Sequence, residues 1–134
     1  MHFFDHGIST RKRSEMVDIT GIVNESVARA GITDGSCVVF IPHTTAGVTI
    51  NENADPDVIR DILMQLDETV PWQHRSYRHS EGNSAAHIKS SLMGSSIELI
   101  VRDGRVRLGT WQSVFFCEFD GPRRRKFHVQ ICSN

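Results

Sequence analysis

Hydrophobic and polar residues alternate along several short segments of the chain, and this two-residue period is typical of β-strands with one buried face. In AGVTINEN, Val48 and Ile50 fall on one face, whereas Thr49, Asn51 and Asn53 fall on the other. The segments GISTRKR and MVDIT are polar enough to form short, half-exposed edge strands, and VFFCEFD and KFHVQI continue as two further strands. The pattern therefore predicts several short strands.

One segment departs from this alternation. Residues 37–41 are five consecutive apolar residues, CVVFI, which favours a strand that is covered on both faces. We therefore expect helices or another subunit to cover the sheet around this strand.

The dipeptide Asp103-Gly104 separates IELIV from RVRLGTW and is a strong signal for a two-residue hairpin turn. One face of the resulting hairpin is almost wholly apolar. The predicted register pairs Val101 with Val106, Leu99 with Leu108 and Ile97 with Thr110.

Two longer helices are predicted from their end signals. Thr20 can cap a first helix that runs to about Ala30, with Gly31 as its stop. Asp55 is a natural N-cap for a second helix, and Pro56 suits its first position. Apolar residues recur at helical spacing along this second helix: Ile59, Leu63, Leu66 and Val70.

A third, shorter helix is predicted in EGNSAAHIKSSLMG, because Asn83 or Ser84 can cap it and Gly94 can end it. His87 lies about 100° from Ile88 around this helix, which takes the imidazole off the apolar face. The expected buried stripe is Ala85, Ile88 and Leu92.

The size and charge of the chain limit the classes of protein that it can be. With 134 residues, 39% of them hydrophobic, and a formal net charge of -1, the sequence suits one α+β domain over residues 1–134. We expect a largely antiparallel β-sheet or sandwich with two to three helices.

The near-neutral charge argues against nucleic acid as a partner, although GPRRRK is a local basic cluster. Three cysteines without CxxC spacing, no signal-peptide pattern and no long apolar run favour a cytoplasmic protein without a membrane span.

The segment YRHSEGNSAAHIK concentrates ionisable residues around one Gly-Asn pair, and two chemistries use them differently. Imidazoles and carboxylates are metal ligands, so His79, Glu81 and His87 could converge on a divalent metal if the turn folds the segment back. A Gly-Asn-Ser turn that opens a helix could instead bind a phosphate through free backbone N–H groups, with Lys89 or Arg78 adding charge. The spacing alone leaves both open, and an exposed, solvated histidine is the third alternative.

Polar residues elsewhere are candidates for the same site. His43 follows a buried strand and a proline, where a strand end delivers side chains to a cleft or simply to solvent. Asn51, Glu52 and Asn53 could contact substrate or satisfy loop backbone. Glu118 lies in an apolar strand and shares the parity of neighbouring hydrophobic residues, so its carboxylate needs a partner or a raised pKa.

Four segments together resemble the YjbQ family, also described as secondary thiamine-phosphate synthases: HTTAGVTINENADPDV, YRHSEGNSAAHIK, LGTWQ and FFCEFDGPRRRK. The likeness spans nearly the whole chain. It implies an α+β fold, a homotrimer and a polar pocket built from histidines and carboxylates. Signature or polar positions of the family coincide with His43, Asn51, Glu52, Asn53, Asp55, Asp61, His79, His87, Lys89, Thr110, Trp111, Gln112 and Glu118.

From the residues and this resemblance together, we expect a site with three kinds of group. The metal ligands are His43, His79 and His87, which would hold zinc or, alternatively, magnesium. The catalytic candidates are Glu118, Asp61 and Glu81. The substrate-binding candidates are Asn51, Asn53, Lys89, Thr110, Trp111, Gln112 and Arg123.

The activity that the resemblance implies acts on a phosphorylated small molecule. Diphosphate leaves an aminopyrimidine methyl diphosphate while the nitrogen of a thiazole phosphate attacks the methylene carbon. Cations must neutralise the leaving diphosphate, and an aromatic group such as Trp111 could shield the developing carbocation. A metal-dependent hydrolase and a ligand-binding module without turnover are the alternatives.

Overall fold

The computed structural model describes all 134 residues, which form eight strands and three helices. The strands are His2–Ser9 (β1), Glu15–Asp18 (β2), Gly35–Phe40 (β3), Ala46–Glu52 (β4), Ser96–Arg102 (β5), Arg105–Val106 (β6), Gln112–Glu118 (β7) and Arg124–Ser133 (β8). The helices are Thr20–Ala30 (α1), Pro56–Thr69 (α2) and Ser84–Met93 (α3).

The strands form two antiparallel sheets. A five-stranded sheet has the order β1-β8-β3-β5-β6, and a three-stranded sheet has the order β2-β7-β4. This arrangement confirms the predicted α+β class. No helix combines the length and apolar character that a bilayer crossing requires.

The alternation of side chains along β7 divides the hydrophobic interior in two. Val114 and Phe116 face the main core, which fills the space between the two sheets and α1. Phe115 and Cys117 face a smaller core, which α2 and α3 cover. Because both faces of β7 are buried, this strand reads as a nearly continuous apolar run that ends at Glu118.

The prediction that residues 37–41 are covered on both faces is not met within one chain. Cys37 and Val39 are fully buried in the main core, but Phe40 is 43% exposed on the opposite face of the five-stranded sheet. Phe3 and Ile100 are also exposed, at 59% and 64%. No helix of the chain packs on this outer face, because all three lie on the side of the other sheet or against the main core.

The end signals of the two longer helices are largely confirmed. Asp55 accepts a hydrogen bond from the Asp57 N–H at 2.9 Å, and Pro56 occupies the first turn of α2. Gly31 ends α1 with a φ of 68°, a left-handed conformation that favours glycine. Thr20 differs from the prediction: it is the first residue within α1, and its hydroxyl accepts from the Val114 N–H at 2.8 Å.

The predicted buried stripe of α3 is wrong except at Ala85. Ile88 is 39% exposed and Leu92 is 64% exposed, whereas Lys89 is buried. The helix approaches β4 so closely that a Cβ added at Gly47 would lie 2.7 Å from the carbonyl oxygen of Gly94. Small side chains therefore suit the inner face at Ala85, Ala86 and Ser90, and Lys89 is the one long side chain on that face.

The Asp103-Gly104 turn is confirmed, with positive φ at both residues and Val101 paired with Val106. The other two predicted pairs do not form, because β6 ends after two residues. The chain then leaves for the three-stranded sheet, where β7 pairs with β2 and β4.

Candidate functional site

A polar cleft of about 420 Å³ lies where three loops meet the start of α3. The loops are the β3–β4 connection, the α2–α3 connection and the β7–β8 turn. No hydrophobic side chain lines the cleft. Besides Pro42, its lining residues are His43, Thr44, Thr45, His79, Glu81, Asn83, His87, Asp120, Arg123 and Arg125.

A buried ion pair lies beneath this cleft. Glu118 ends β7 with no exposed surface, and Arg125 lies near the start of β8 with 6% exposed. The Arg125 Nε donates to Glu118 Oε1 at 2.9 Å, and its Nη2 donates to Oε2 at 2.5 Å. Thr10 Oγ1 and the Asp120 N–H also donate to this carboxylate, at 2.7 and 2.9 Å. Gly121 allows the turn to pack here, since an added Cβ would lie 2.9 Å from Glu118 Cγ.

These contacts determine the charge and the role of Glu118. Burial by itself raises its pKa, but the hydrogen bonds from Arg125, Asp120 and Thr10 outweigh burial and hold the pKa below its ordinary value. The carboxylate is therefore ionised at neutral pH. Glu118 does not line the cleft. It contacts Arg125, and its placement suits a positioning residue rather than the predicted catalytic group.

The sequence indicated Arg125 only as part of the basic cluster GPRRRK, where residues 123–125 could neutralise a leaving diphosphate, yet Arg125 lies at the centre of the arrangement. Its Nη2 donates to Thr45 Oγ1 at 2.7 Å as well as to Glu118, whereas Nη1 has no hydrogen-bond partner within the chain. A signal for it was present in the sequence. Arg125 shares the parity of Phe127 and Val129, so the alternation along β8 places it on the buried face.

Asp120 connects the β7–β8 turn to the start of α3. Its carboxylate accepts from Arg123 Nη2 at 3.0 Å and from Asn83 Nδ2 at 2.8 Å. The Asn83 Oδ1 is buried and has no partner, which is uncommon for a polar atom in a folded protein. The cleft thus combines a half-exposed arginine with an unused acceptor at its edge.

The structure brings the three predicted histidines to this one cleft. The rings of His79 and His87 lie 5.2 Å apart, edge to face, and His79 Nε2 is 3.8 Å from a Glu81 oxygen. The His43 Nε2 is 3.0 Å from both the N–H and the carbonyl oxygen of Lys126. Burial and the charge of Arg125 lower the pKa of His43, which is therefore neutral at pH 7.

The histidines do not form a metal-ligand set in this arrangement. Nowhere in the chain do three His, Cys, Asp or Glu side chains converge closely enough to hold a metal ion. The Lys126 main chain also engages Nε2 of His43 and leaves only Nδ1 for a ligand.

Like Glu118, the predicted site residues Lys89 and Asp61 do not line the cleft. Lys89 is 2% exposed and forms an ion pair with Asp67 of α2. Asp61 is exposed on α2, beside Arg60 and over a separate depression that Ile62 and Leu66 help to line. This depression shares no residue with the polar cleft.

Five other substrate-binding candidates lie at the opposite end of the three-stranded sheet. Gln112 begins β7 and Glu118 ends it, so six steps of about 3.3 Å separate the two ends by about 20 Å. The polar groups there serve the local fold: the Asn53 N–H donates to the Trp111 carbonyl, and Gln112 accepts from the Gly109 N–H. The group consists of Asn51, Asn53, Thr110, Trp111 and Gln112.

The cysteines offer no nucleophile to the cleft. Burial raises the pKa of Cys37 and of Cys117 to about 12, so neither forms a thiolate at neutral pH. None of the three cysteines lines the cleft.

The sequence of the chain matches one protein family over almost its full length. The model of the family described as UPF0047 protein YjbQ-like matches residues 5–134. The chain is 55% identical to the UPF0047 protein YugU of Bacillus subtilis over 92% of its length and 94% of that protein. A UPF0047 protein of Methanocaldococcus jannaschii is 52% identical over 96% of this chain and 92% of its own.

Solved structures agree over almost the full length. A crystal structure of an uncharacterized YjbQ/UPF0047 protein from Clostridium acetobutylicum has a TM-score of 0.94 and 53% identity, covering 96% of this chain and 99% of that one. A protein of unknown function from Sulfolobus solfataricus has a TM-score of 0.93 and 35% identity, covering 99% of this chain and 97% of that one. These names state a family and a fold, and no reaction.

Proposed function

The chain belongs to the YjbQ-like UPF0047 family, and we propose that its polar cleft binds the phosphate of a small molecule and is the active site of an enzyme acting on that molecule. The observation that carries the proposal is the free Nη1 of Arg125, in a guanidinium that Glu118 and Thr45 already hold in place. Arginine presents a rigid fork of donors that matches phosphate oxygens.

The fixed position of Arg125 supports binding because its ordering is complete before a ligand arrives. An arginine side chain in solution loses rotamer freedom when it binds, and this loss weakens association. Here a carboxylate and a threonine have immobilised it during folding. Arg123 adds a second guanidinium, which is 48% exposed and is oriented by Asp120.

The carboxylates of the site determine how a phosphate would be recognised. Glu118 and Asp120 each compensate one arginine charge, so the cleft has no large net positive charge. A phosphate would be held by directed N–H and O–H donors, including Thr44 and the histidines at the rim. Short hydrogen bonds to a charged group contribute about 1.5–3 kcal/mol each.

The histidines supply proton transfer in this proposal. His79 and His87 lie at the rim, where either ring could donate a proton to a leaving oxygen or accept one from an attacking group. The thiamine-phosphate synthase reaction is one candidate, with diphosphate as the leaving group. Trp111 is about 20 Å away within the same chain, so we assign no carbocation shielding to it.

Calorimetric titration with inorganic phosphate and then diphosphate tests the binding step. Arg123→Ala removes one cleft guanidinium and should weaken binding about tenfold. Arg124→Ala is the matched control, because this neighbouring arginine is exposed and does not line the cleft. Equal effects of the two substitutions, or no phosphate binding at all, would contradict the proposal.

Turnover separates an enzyme from a binding module. Diphosphate release from the aminopyrimidine diphosphate, with the thiazole phosphate present, should occur in the wild type and fall in His87→Ala. Binding without release of diphosphate, or of phosphate from other phosphorylated metabolites, would leave a ligand-binding module.

Titration with zinc and magnesium tests the expected metal in the same samples. Stoichiometric binding that His87→Ala abolishes would support a metal site, and no binding would reject it.

We also propose a cytoplasmic homotrimer. The exposed Phe3, Phe40 and Ile100 on the outer face of the five-stranded sheet support association of copies, because burying them removes apolar surface from water. A monomeric mass by light scattering at micromolar concentration would reject the trimer. Fractionation of the source cells tests the location, and recovery outside the cytoplasmic fraction would reject it.

A further inference from the structure

His87 lies where three neighbouring depressions meet. It lines the polar cleft, a second depression of about 510 Å³ and a third of about 370 Å³. The cleft and the second depression also share His79. The cleft and the second depression are therefore adjacent at His79 and His87.

The second depression differs chemically from the cleft. It contains the side chains of Tyr77 and Ile88, whereas the cleft contains no hydrophobic side chain. The Tyr77 ring is held in place, because its hydroxyl donates to the Pro71 carbonyl at 2.9 Å and its N–H donates to the His74 carbonyl. Two apolar side chains, one of them fixed in place, thus lie beside the polar cleft.

The pattern of α3 adds to this contrast. An ordinary amphipathic helix buries its apolar residues, but α3 buries Lys89 and leaves the adjacent Ile88 39% exposed. The exposed Ile88 lines the second depression. An apolar ligand group there would cover part of this side chain and gain the free energy of removing apolar surface from water.

We propose that the Tyr77–Ile88 depression is a second subsite, which binds the apolar organic part of a ligand whose phosphate occupies the cleft. This inference rests on the proposed phosphate-binding function. It makes Ile88 and Tyr77 specificity-determining residues, and it places the atoms that connect the two parts of the ligand beside His87. A volume of about 510 Å³ is within the range of small-molecule sites.

Paired titrations with benzyl phosphate and glycerol 3-phosphate test the subsite, because the two probes share a phosphate and differ in their organic part. The wild type should bind benzyl phosphate about tenfold more tightly, as expected for burial of several apolar carbons. Ile88→Gln should reduce this preference to about twofold and leave glycerol 3-phosphate binding unchanged. Leu92→Gln is the control, since Leu92 is exposed one turn later on α3 but does not line the depression.

The outcomes distinguish this inference from the function on which it rests. Equal affinities for the two probes in the wild type, or equal effects of Ile88→Gln and Leu92→Gln, would overturn the subsite. If Arg123→Ala still weakened both probes in that case, phosphate binding in the cleft would stand. If no probe bound, both proposals would be wrong.

Discussion

Two basic side chains are buried in this protein, and their surroundings differ. Arg125 pairs with Glu118, whose carboxylate has no exposed surface and accepts further hydrogen bonds from Thr10 and Asp120. Lys89 pairs with Asp67, whose side chain is 62% exposed. Only the first pair has both charges removed from water.

This difference indicates what each pair does. A doubly buried pair depends on complete hydrogen bonding, because neither ion keeps its hydration. The Glu118–Arg125 pair therefore fixes the geometry beneath the cleft. The Lys89–Asp67 pair links α3 to α2, and its carboxylate retains contact with water, so its loss should have a smaller effect.

The largest expected effect is the loss of the buried carboxylate charge. Glu118→Gln should lower the free energy of unfolding by about 3–5 kcal/mol, because it leaves the Arg125 charge buried without its counterion. Urea denaturation measures this change. Asp67→Asn is the comparison and should cost less, because the Asp67 side chain is 62% exposed and water already screens its attraction for Lys89. A larger loss in Asp67→Asn than in Glu118→Gln would reverse the comparison.

An intermediate effect is expected from acidification. The folded pKa of Glu118 is lowered, so its contribution to stability is complete above the unfolded value of about 4.3 and is lost as pH falls through the lower folded value. The unfolding free energy of the wild type should therefore fall more steeply below about pH 4 than that of Glu118→Gln. Urea denaturation of both proteins between pH 7 and pH 3 measures the two slopes. Parallel curves would show that another group controls acid stability.

The smallest effect is expected at Lys89. Lys89→Met keeps a flexible chain of similar length in the buried site and removes the need to desolvate a charge, so stability should change by about 1 kcal/mol or less. Arg125→Met is the comparison and should be clearly more destabilising, because it strands the Glu118 carboxylate. Thermal unfolding of both variants tests the ranking, and global unfolding of Lys89→Met would contradict it.

Local patterns predicted the parts of the fold that depend on neighbouring residues. The Asp55-Pro56 start of α2, the Gly31 end of α1 and the Asp103-Gly104 turn are each determined by the backbone preferences of one or two residues. The inner face of α3 was not predictable in this way. Its small residues reflect the close approach of β4 at Gly47, a contact between segments far apart in sequence.

The candidate site shows the same division. The sequence by itself determined which residue types were available, and the ends and turns of the chain identified the histidines at positions 43, 79 and 87 as residues placed away from apolar faces. Tertiary structure decided which polar residues meet. It paired Glu118 with Arg125 and Lys89 with Asp67 of α2. It also placed Trp111 at the end of β7 that is far from the cleft. The physical reason is that strand pairing and core packing act between distant segments, whereas turn and cap preferences act within a few residues.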